Sequence, residues 1–267
     1  MGRQTGYTLI ELIMVIVLLS IVATVSVRFV ALSTRGALDT SARQLRALQS
    51  VVISEQLTRE LREAFPLSVR STGSCIEWLP LEAGTNYLNL TTSAEVDQIE
   101  IAEFAQPPDP DESELRAVVY GYGTSVDDIY TATAADPGPV SGTISTIDNT
   151  ASSATITLAG SHRFNTNSPA RRLFVVGEPV SVCQSQSQNG RFLYRYSGYE
   201  PAAIQPDPPS SVTPEVLAAS VTGNVDFRFL PATLQRAAVV QFTFDLESAD
   251  GNETTTVSQE VQIRNVP

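Results

Sequence analysis

Residues 5–29, TGYTLIELIMVIVLLSIVATVSVRF, decide how the rest of this chain is interpreted. Between Tyr7 and Val27 the only charged residue is Glu11. A helix over this run is roughly 32 Å long at about 1.5 Å per residue, which matches a hydrocarbon core of about 30 Å. The stretch therefore predicts a membrane-length helix. Glu11 needs its own explanation, because a carboxylate inside a membrane-spanning helix costs several kcal/mol unless it is paired or lies near the interface.

Three interpretations of this segment compete. A cleaved secretory signal has an apolar core of about 7–15 residues followed by a small-residue site, whereas this run is longer and the sequence around Ala23 is a poor site. A plain membrane anchor fits the length but leaves Glu11 without a reason. The third interpretation starts from Gly6, which directly precedes the apolar run.

The composition of the 267 residues limits the classes of function. The formal charge is −12, and all 17 basic residues are Arg. Phosphate contacts require clustered cations, so a chain this acidic is a poor general binder of nucleic acid. The length suffices for one globular domain together with an N-terminal anchor segment.

A second helical pattern follows the apolar run. Apolar residues recur at close to helical spacing from Leu38 to Ala64, and Pro66 ends the pattern. Gly36 marks an expected weak point in the helix. Beyond Ser68, β-branched residues dominate short runs separated by turn signals, which favours strands. The predicted fold class is therefore α+β, with a long N-terminal helix packed on a mainly antiparallel β-sheet.

Individual elements can be placed in the second part of the chain. Thr213 and Pro214 predict the start of a short helix, with Thr213 as its cap. The segments predicted as strands are residues 75–81, 97–104, 143–147, 154–158, 172–183, 191–199 and 237–266, the last being a hairpin that turns at residues 250–252.

The chain has two cysteines, Cys75 and Cys183. Their separation rules out a CxxC redox or zinc motif. In the cytosol they would be free thiols, whereas in an oxidising compartment they would pair. A disulfide between them would close a loop of about 100 residues, worth about 4–5 kcal/mol in the chain-entropy model.

No catalytic constellation, metal-ligand spacing or cofactor motif stands out. The acidic segment 95–114 contains Asp109, Asp111, Glu112 and Glu114 but lacks the glycine and distal Glu of an EF-hand loop, so a solvated loop is favoured over a calcium site. The single histidine, His162, is predicted to be a surface residue, because no second ligand or base lies near it in sequence. A membrane-anchored periplasmic enzyme remains the alternative from a different class.

The junction Gly6–Tyr7 followed by TLIEL and an unbroken apolar run resembles the class III signal of type IV prepilins and type II secretion pseudopilins. The departures are Tyr7 in place of the commoner Phe and a leader whose only charged side chain is Arg3. Later segments, SPARRLFVVGEPVSVCQ, RFLYRYSGY and EVQIRNVP, resemble the minor pilins of the mannose-sensitive haemagglutinin (MSHA) pilus, of the MshO-like kind.

This resemblance implies a set of site residues. Prepilin peptidase would cut after Gly6 and methylate the new amino group of Tyr7, and Glu11 would be the assembly glutamate. The chain would then divide into a leader (1–6), an N-terminal helix that is first hydrophobic and then amphipathic (7–65), and a β-rich domain (66–267).

The resemblance also implies a location and partners. The positive-inside rule gives no clear orientation here, because arginines flank the apolar run on both sides. The resemblance places the N-terminus in the cytoplasm and the large domain in the periplasm, where Cys75 and Cys183 would pair. The partners would be prepilin peptidase, the inner-membrane assembly platform, membrane lipid before assembly, and other major and minor pilins. A minor pseudopilin of a type II secretion system is the second interpretation within this resemblance.

Overall fold

The computed structural model describes residues 6, 8–111, 114–131, 137–150, 153–185, 187, 190–232 and 237–263, without the side chains of Thr131 and Ser153. A long helix, α1 (Leu9–Arg62), is followed by strands and one short helix, α2 (Val126–Thr131). The strands are β1 (Arg70–Thr72), β2 (Cys75–Trp78), β3 (Leu81–Asn89), β4 (Val96–Ile101), β5 (Arg116–Val118), β6 (Val140–Thr150), β7 (Ser153–His162), β8 (Arg172–Val176), β9 (Val180–Gln184), β10 (Phe192–Tyr196), β11 (Glu215–Ala219), β12 (Val221–Leu230), β13 (Val239–Glu247) and β14 (Thr254–Gln262). The α+β prediction, a long apolar N-terminal helix followed by an antiparallel β domain, is confirmed.

The chain divides into two compact units, Met1–Leu48 and Gln49–Pro267. In the second unit, the last turns of α1 bury Ile53, Leu57 and Leu61, which lie four residues apart on one helix face. These side chains share a hydrophobic core with both open sheets of the domain, including Trp78 of β2 and Phe242 of β13. The predicted packing of the amphipathic helix on a sheet therefore holds for this part of α1.

Two open antiparallel sheets form the frame of the second unit. One has the strand order β1-β2-β9-β10-β11, and the other has the order β12-β13-β14. The second is a meander in which inward residues alternate with outward ones, as in the burial of Val257 and Val261 between exposed neighbours in β14. The C-terminal hairpin turns around Gly251, whose φ of 72° requires the left-handed region.

The part of the chain between β2 and β9 forms a closed barrel, while β2 and β9 themselves pair directly in the first sheet. The strand order of the barrel is β3-β4-β7-β6-β5-β8. The interior is filled by apolar side chains such as Ile99, Ile156 and Val175, each 0% exposed, so the barrel is a packed core and encloses no channel. The chain enters and leaves at one point, where Gly177 N–H donates to the Pro80 carbonyl at 3.0 Å.

The barrel also packs on the end of the helical region. Phe65 contacts Phe174 and Tyr120, with ring centroids 5.5 and 5.7 Å apart. Ile129 and Tyr130 of α2 belong to the same apolar cluster, which is separate from the core of the open sheets and from the barrel interior. The cluster joins the barrel to the frame by side-chain packing as well as by the chain connections.

Two predictions of local structure are wrong. Residues from Thr213 do not begin a helix, because Glu215–Ala219 pairs antiparallel with β10, and for so short a segment sheet pairing outweighs a capping signal. Residues 172–183 do not form one strand, because Gly177–Pro179 separates β8 in the barrel from β9 in the open sheet. Pro179 has no N–H to give to a ladder.

We expect Leu57→Ala to lower the free energy of unfolding by about 2–5 kcal/mol, because it leaves a cavity where α1 meets both sheets. Val52→Ala is the matched control, since Val52 lies on the same helix but is 63% exposed. Urea unfolding of the full chain in detergent checks both variants. Equal losses for the two variants would contradict the packing described here.

Candidate functional site

The helix that carries the predicted site begins with a side-chain cap. Glu11 N–H donates to the Thr8 hydroxyl at 3.4 Å, and Leu12 N–H donates to the Thr8 carbonyl at 3.2 Å. Thr8 is therefore the N-cap, and Glu11 occupies the third helical position, where its N–H is capped but its side chain does not return the bond of a capping box. This arrangement fixes the helix start just after Gly6 and Tyr7.

The Glu11 side chain is exposed and makes no hydrogen bond or ion pair with any described residue. Its position in the first turn lets the carboxylate interact favourably with the helix dipole, by about 0.3–1 kcal/mol at an exposed site. That gain is smaller than the several kcal/mol needed to keep a carboxylate in hydrocarbon. The local structure therefore leaves Glu11 available for a cation from outside its own helix.

The helix surface around Glu11 is apolar on all sides. Within the first compact unit, the large apolar side chains from Leu9 to Leu32 are exposed, for example Leu9 at 77% and Phe29 at 70%. By length and composition alone this helix could cross a membrane, and a signal sequence near an N-terminus shares these properties. Apolar surface of this extent requires lipid or other helices as cover.

Two hydroxyl groups within the apolar run, those of Ser20 and Thr24, have partners in the helix itself. Ser20 Oγ donates to the Ile16 carbonyl at 2.7 Å, and Thr24 Oγ1 reaches the carbonyls of Ser20 and Ile21 at 3.0 and 2.9 Å. Such back-bonding removes the desolvation penalty of a hydroxyl in an apolar setting. The contrast with Glu11, which has no such internal partner, sets the carboxylate apart.

The predicted processing site is only partly described. Gly6 is exposed, and nothing lies within 4 Å of where a side chain would begin. Tyr7, the predicted N-methylation site, and residues 1–5 lie outside the described residues. Cleavage after Gly6 and methylation of Tyr7 remain predictions.

Cys75 and Cys183 are joined by a disulfide, with a Cα–Cα distance of 4.1 Å. They are directly opposite residues of the paired strands β2 and β9, and both are fully buried. The bond therefore ties together the two strands that flank the inserted barrel.

A buried polar network lies beside the disulfide and was not predicted. Glu77 of β2 is fully buried and forms an ion pair with Arg70 of β1, opposite it in the sheet. Glu77 also accepts a hydrogen bond from the Tyr199 hydroxyl at 2.8 Å, and Ser181 Oγ lies 2.5 Å from the same hydroxyl. The sequence of β2 does not indicate that Glu77 is buried. All four residues of β2 are buried because other parts of the fold cover both faces of the strand.

Arg70 connects this network to two other segments. Its guanidinium donates to the carbonyls of Ala202 and Ala203 at 2.7 and 3.0 Å and stacks over the Tyr130 ring at 3.5 Å. Every polar atom named here has a hydrogen-bond or ion-pair partner within the protein. Its geometry fits a structural clamp between β1, α2 and the segment after β10.

Burial dominates the electrostatics of the network. Desolvation raises the pKa of Glu77 above its ordinary value, and the hydrogen bond and charge of Arg70 oppose this shift. Desolvation, together with the nearby Glu77 charge, also raises the pKa of Tyr199, so this tyrosine stays protonated as a donor.

The remaining candidates do not form a site. His162 is buried, not on the surface as predicted: its Nε2 lies 3.1 Å from the Gly138 carbonyl, and its ring packs edge-on against Phe164, because β7 carries it into the barrel wall. In the acidic segment, Asp109 Oδ1 accepts from Asp111 N–H at 2.9 Å, which is a turn interaction. Glu112 lies outside the described residues, and the described ones hold no group of three or more potential metal ligands.

Comparison with known proteins identifies the N-terminal segment. Residues 1–27 match the prokaryotic N-terminal methylation motif. This motif indicates a prepilin of the type IV pilin-like family, a pilin or pseudopilin, and it suggests a structural protein that is processed by prepilin peptidase and assembles with other pilins. No curated protein and no solved structure matches the chain. The motif and the apolar helix together fit membrane anchoring of a pilin.

We expect the double substitution Cys75→Ser, Cys183→Ser to lower the free energy of unfolding by about 4–5 kcal/mol, because the bond closes a long loop in the unfolded chain. Urea unfolding of the full chain in detergent, beside the wild type with and without reductant, measures the loss. An unchanged midpoint in both cases would show that the bond adds nothing to stability.

Glu77→Gln should alter how stability depends on pH. A carboxyl whose pKa is higher in the folded than in the unfolded state stabilises the fold below its ordinary pKa and loses that contribution as pH rises through the folded value. Relative to Glu77→Gln, the wild type should therefore gain stability as pH falls from about 7.5 to about 4.5. Unfolding curves of both proteins across this range supply the difference. A difference that shrinks as pH falls would reverse the assignment.

Proposed function

We propose that this chain is a minor pilin of an MSHA-type type IV pilus, which acts in pilus assembly or initiation at or near the pilus tip. Prepilin peptidase cuts it after Gly6 and methylates Tyr7. The observation that carries the proposal is the Glu11 carboxylate in the first turn of α1, which has no partner among the described residues and is the only charge between Tyr7 and Val27.

The proposed assembly step follows from the cost of that charge. Cutting after Gly6 creates an ammonium group at Tyr7, and Glu11 is then the fifth residue of the processed chain. Inside a bundle of apolar helices, each subunit offers a cation at its terminus and an anion one turn away. The attraction is strongest when the ammonium of one subunit meets Glu11 of its neighbour, and this sets the axial register of adjacent helices.

The proposed division of the chain is a leader (1–6), a helix (7–65) and a β-rich domain (66–267). Before assembly the apolar helix is held in the inner membrane, with the N-terminus in the cytoplasm and the domain in the periplasm. The disulfide between Cys75 and Cys183 supports this orientation, because disulfides persist in oxidising compartments. After assembly the domain lies at the cell surface.

The proposed partners are prepilin peptidase, the inner-membrane assembly platform, and other major and minor pilins. The barrel supports a terminal position, because it adds a second packed body to the domain. A subunit repeated along a shaft needs room for neighbours on both sides, whereas one at the end has a free side. The net charge of −12 argues against nucleic acid as a ligand.

A minor pseudopilin of a type II secretion system is the second candidate, because the methylation motif is common to both classes. Deleting the gene separates the two. Loss of surface pili with normal protein secretion supports the pilus role, and loss of secretion with normal pili supports the other. A membrane-anchored enzyme is the third candidate, and saturable activity abolished by one carboxylate substitution would favour it.

We expect Glu11→Ala to insert in the membrane and be processed as in the wild type, but to enter filaments at least about tenfold less. Breaking a buried charge pair costs about 3–5 kcal/mol, far more than such a change requires. Mass spectrometry of the N-terminus reports cleavage and methylation, and immunoblots of sheared filaments report incorporation.

Asp39→Ala is the matched control, since it removes an exposed carboxylate from the same helix outside the apolar run. It should enter filaments normally. Wild-type incorporation of Glu11→Ala would remove the basis of the proposed assembly step.

A further inference from the structure

Strand β14 forms one edge of the three-stranded sheet. It pairs with β13 from Val239↔Gln262 to Glu247↔Thr254 without a shift in register. Within the described part of the chain, no strand pairs with its other side. A long regular strand therefore presents an open row of backbone groups.

The hydrogen-bond pattern shows which groups face outward. Ile263 N–H donates to the Ala238 carbonyl at 2.9 Å, and Ser248 N–H donates to the Glu253 carbonyl at 2.8 Å. Antiparallel pairing alternates along the strand, so the odd-numbered residues of β14 bond to β13. The N–H and C=O groups directed away from β13 are those of Thr254, Thr256, Ser258, Glu260 and Gln262.

The other sheet edges in the described ranges carry features that discourage pairing. The barrel closes on itself and has no edge. In the five-stranded sheet, β1 has only 3 residues, and the pairing of β11 with β10 shifts register at Leu193 and Tyr194. The far edge of the three-stranded sheet, β12, has an irregularity between Thr222 and Asp226, with Gly223 at a φ of 68°. By contrast, β14 has 9 residues with no proline, no arginine and no bulge, and Glu260 is its one charged residue.

The outer face next to this edge has a definite charge. Gln241 donates to Glu260 at 2.9 Å, and Thr256 donates to Asp245 at 2.6 Å. These bonds satisfy the carboxylates but leave their negative charge. Two cations near this face are already paired: Arg228 with Asp226 at 2.8 Å, and Arg191 with Glu247 at 3.6 Å. A strand added beside β14 would bring its outward side chains next to Glu260, where a cation is favoured.

We propose that β14 pairs with an extended strand of a neighbouring prepilin-like subunit, which adds a fourth strand to the sheet and carries an Arg or Lys opposite Glu260. Backbone hydrogen bonds to Thr256, Ser258 and Glu260 supply the affinity, and the cation supplies the register. This inference rests on the proposed function, because it takes the neighbour to be another subunit of the same assembly.

The test places the photoreactive amino acid benzoylphenylalanine at Thr256 of the full chain in cells that build filaments. A matched control places it at Thr146, which is exposed on β6 of the closed barrel. We expect irradiation to crosslink position 256 to an extended segment of another protein, one whose own N-terminus carries the methylation motif. The yield of this adduct should be at least tenfold higher from position 256 than from position 146.

Two further substitutions test the edge itself. Ser258→Pro removes an outward N–H and leaves the backbone bonds to β13, losing only the exposed contact of the Ser258 hydroxyl with the Thr243 hydroxyl at 3.1 Å. It should therefore abolish the adduct while the resistance of the chain to protease stays unchanged. Glu260→Lys should reduce the adduct at least tenfold, whereas Thr146→Lys should not change it. If the Ser258→Pro chain is sensitive to protease, it is misfolded, and the adduct yield of Glu260→Lys then tests the pairing.

The outcomes separate this inference from the proposed function. An adduct with a second copy of this chain, with a protein lacking the motif, or with nothing overturns the pairing, as does an adduct that resists both edge substitutions. A wild-type chain missing from purified filaments overturns the pilin role instead. In that case an adduct with a prepilin-like subunit in the membrane still supports the pairing.

Discussion

The pairing of β2 with β9 is the constraint on which the rest of the second unit depends. These strands are brought together from positions 108 residues apart, and the disulfide locks the register between them. Everything between them must therefore leave and return at one place, which the barrel does through Pro80 and Gly177. The same two strands supply Glu77 and Ser181 to the buried polar network. One pairing thus positions the sheet core, the insertion and the clamp formed by Arg70.

Helix α1 serves two environments with one secondary structure. Its first part is apolar all round and holds the hydroxyls of Ser20 and Thr24 by back-bonding, which suits lipid or a bundle of similar helices. Its last turns have a single apolar stripe with Leu57 at its centre, which suits one face of a folded domain. The change occurs without a break in the helix, and Gly36, expected as a weak point, is helical.

The long helix could be predicted because its signal is local, and the prediction of the candidate site rests on equally local spacing. Glu11, Gly6 and the apolar run lie within a few turns of one another, so the spacing alone carries the information. The β domain was predictable only as a class. Strand patterns located most segments, but nothing in them indicated that β8 and β9 belong to different bodies. Whether strands close into a barrel depends on pairings between distant residues, which no local period encodes.

The features that the sequence did not predict correctly share one cause, which is contact with residues distant along the chain. Thr213 and Pro214 have the residue types of a helix start, yet β10 offers the following residues a sheet partner. His162 follows a turn-like Gly-Ser pair, yet the wall of the barrel covers it. Glu77 resembles any solvent-facing residue of a strand until β1 and the segment with Tyr199 cover it. In each case a contact from far along the chain outweighs the local preference.

The connection at Pro80 and Gly177 affects how the gene for such a chain can change by recombination. Its two sides are already hydrogen-bonded neighbours, so a coding segment for residues 81–176 can be gained, lost or exchanged in a single recombination event without separating β2 from β9. The barrel surface can then diversify while the packing of α1 on the two open sheets is kept.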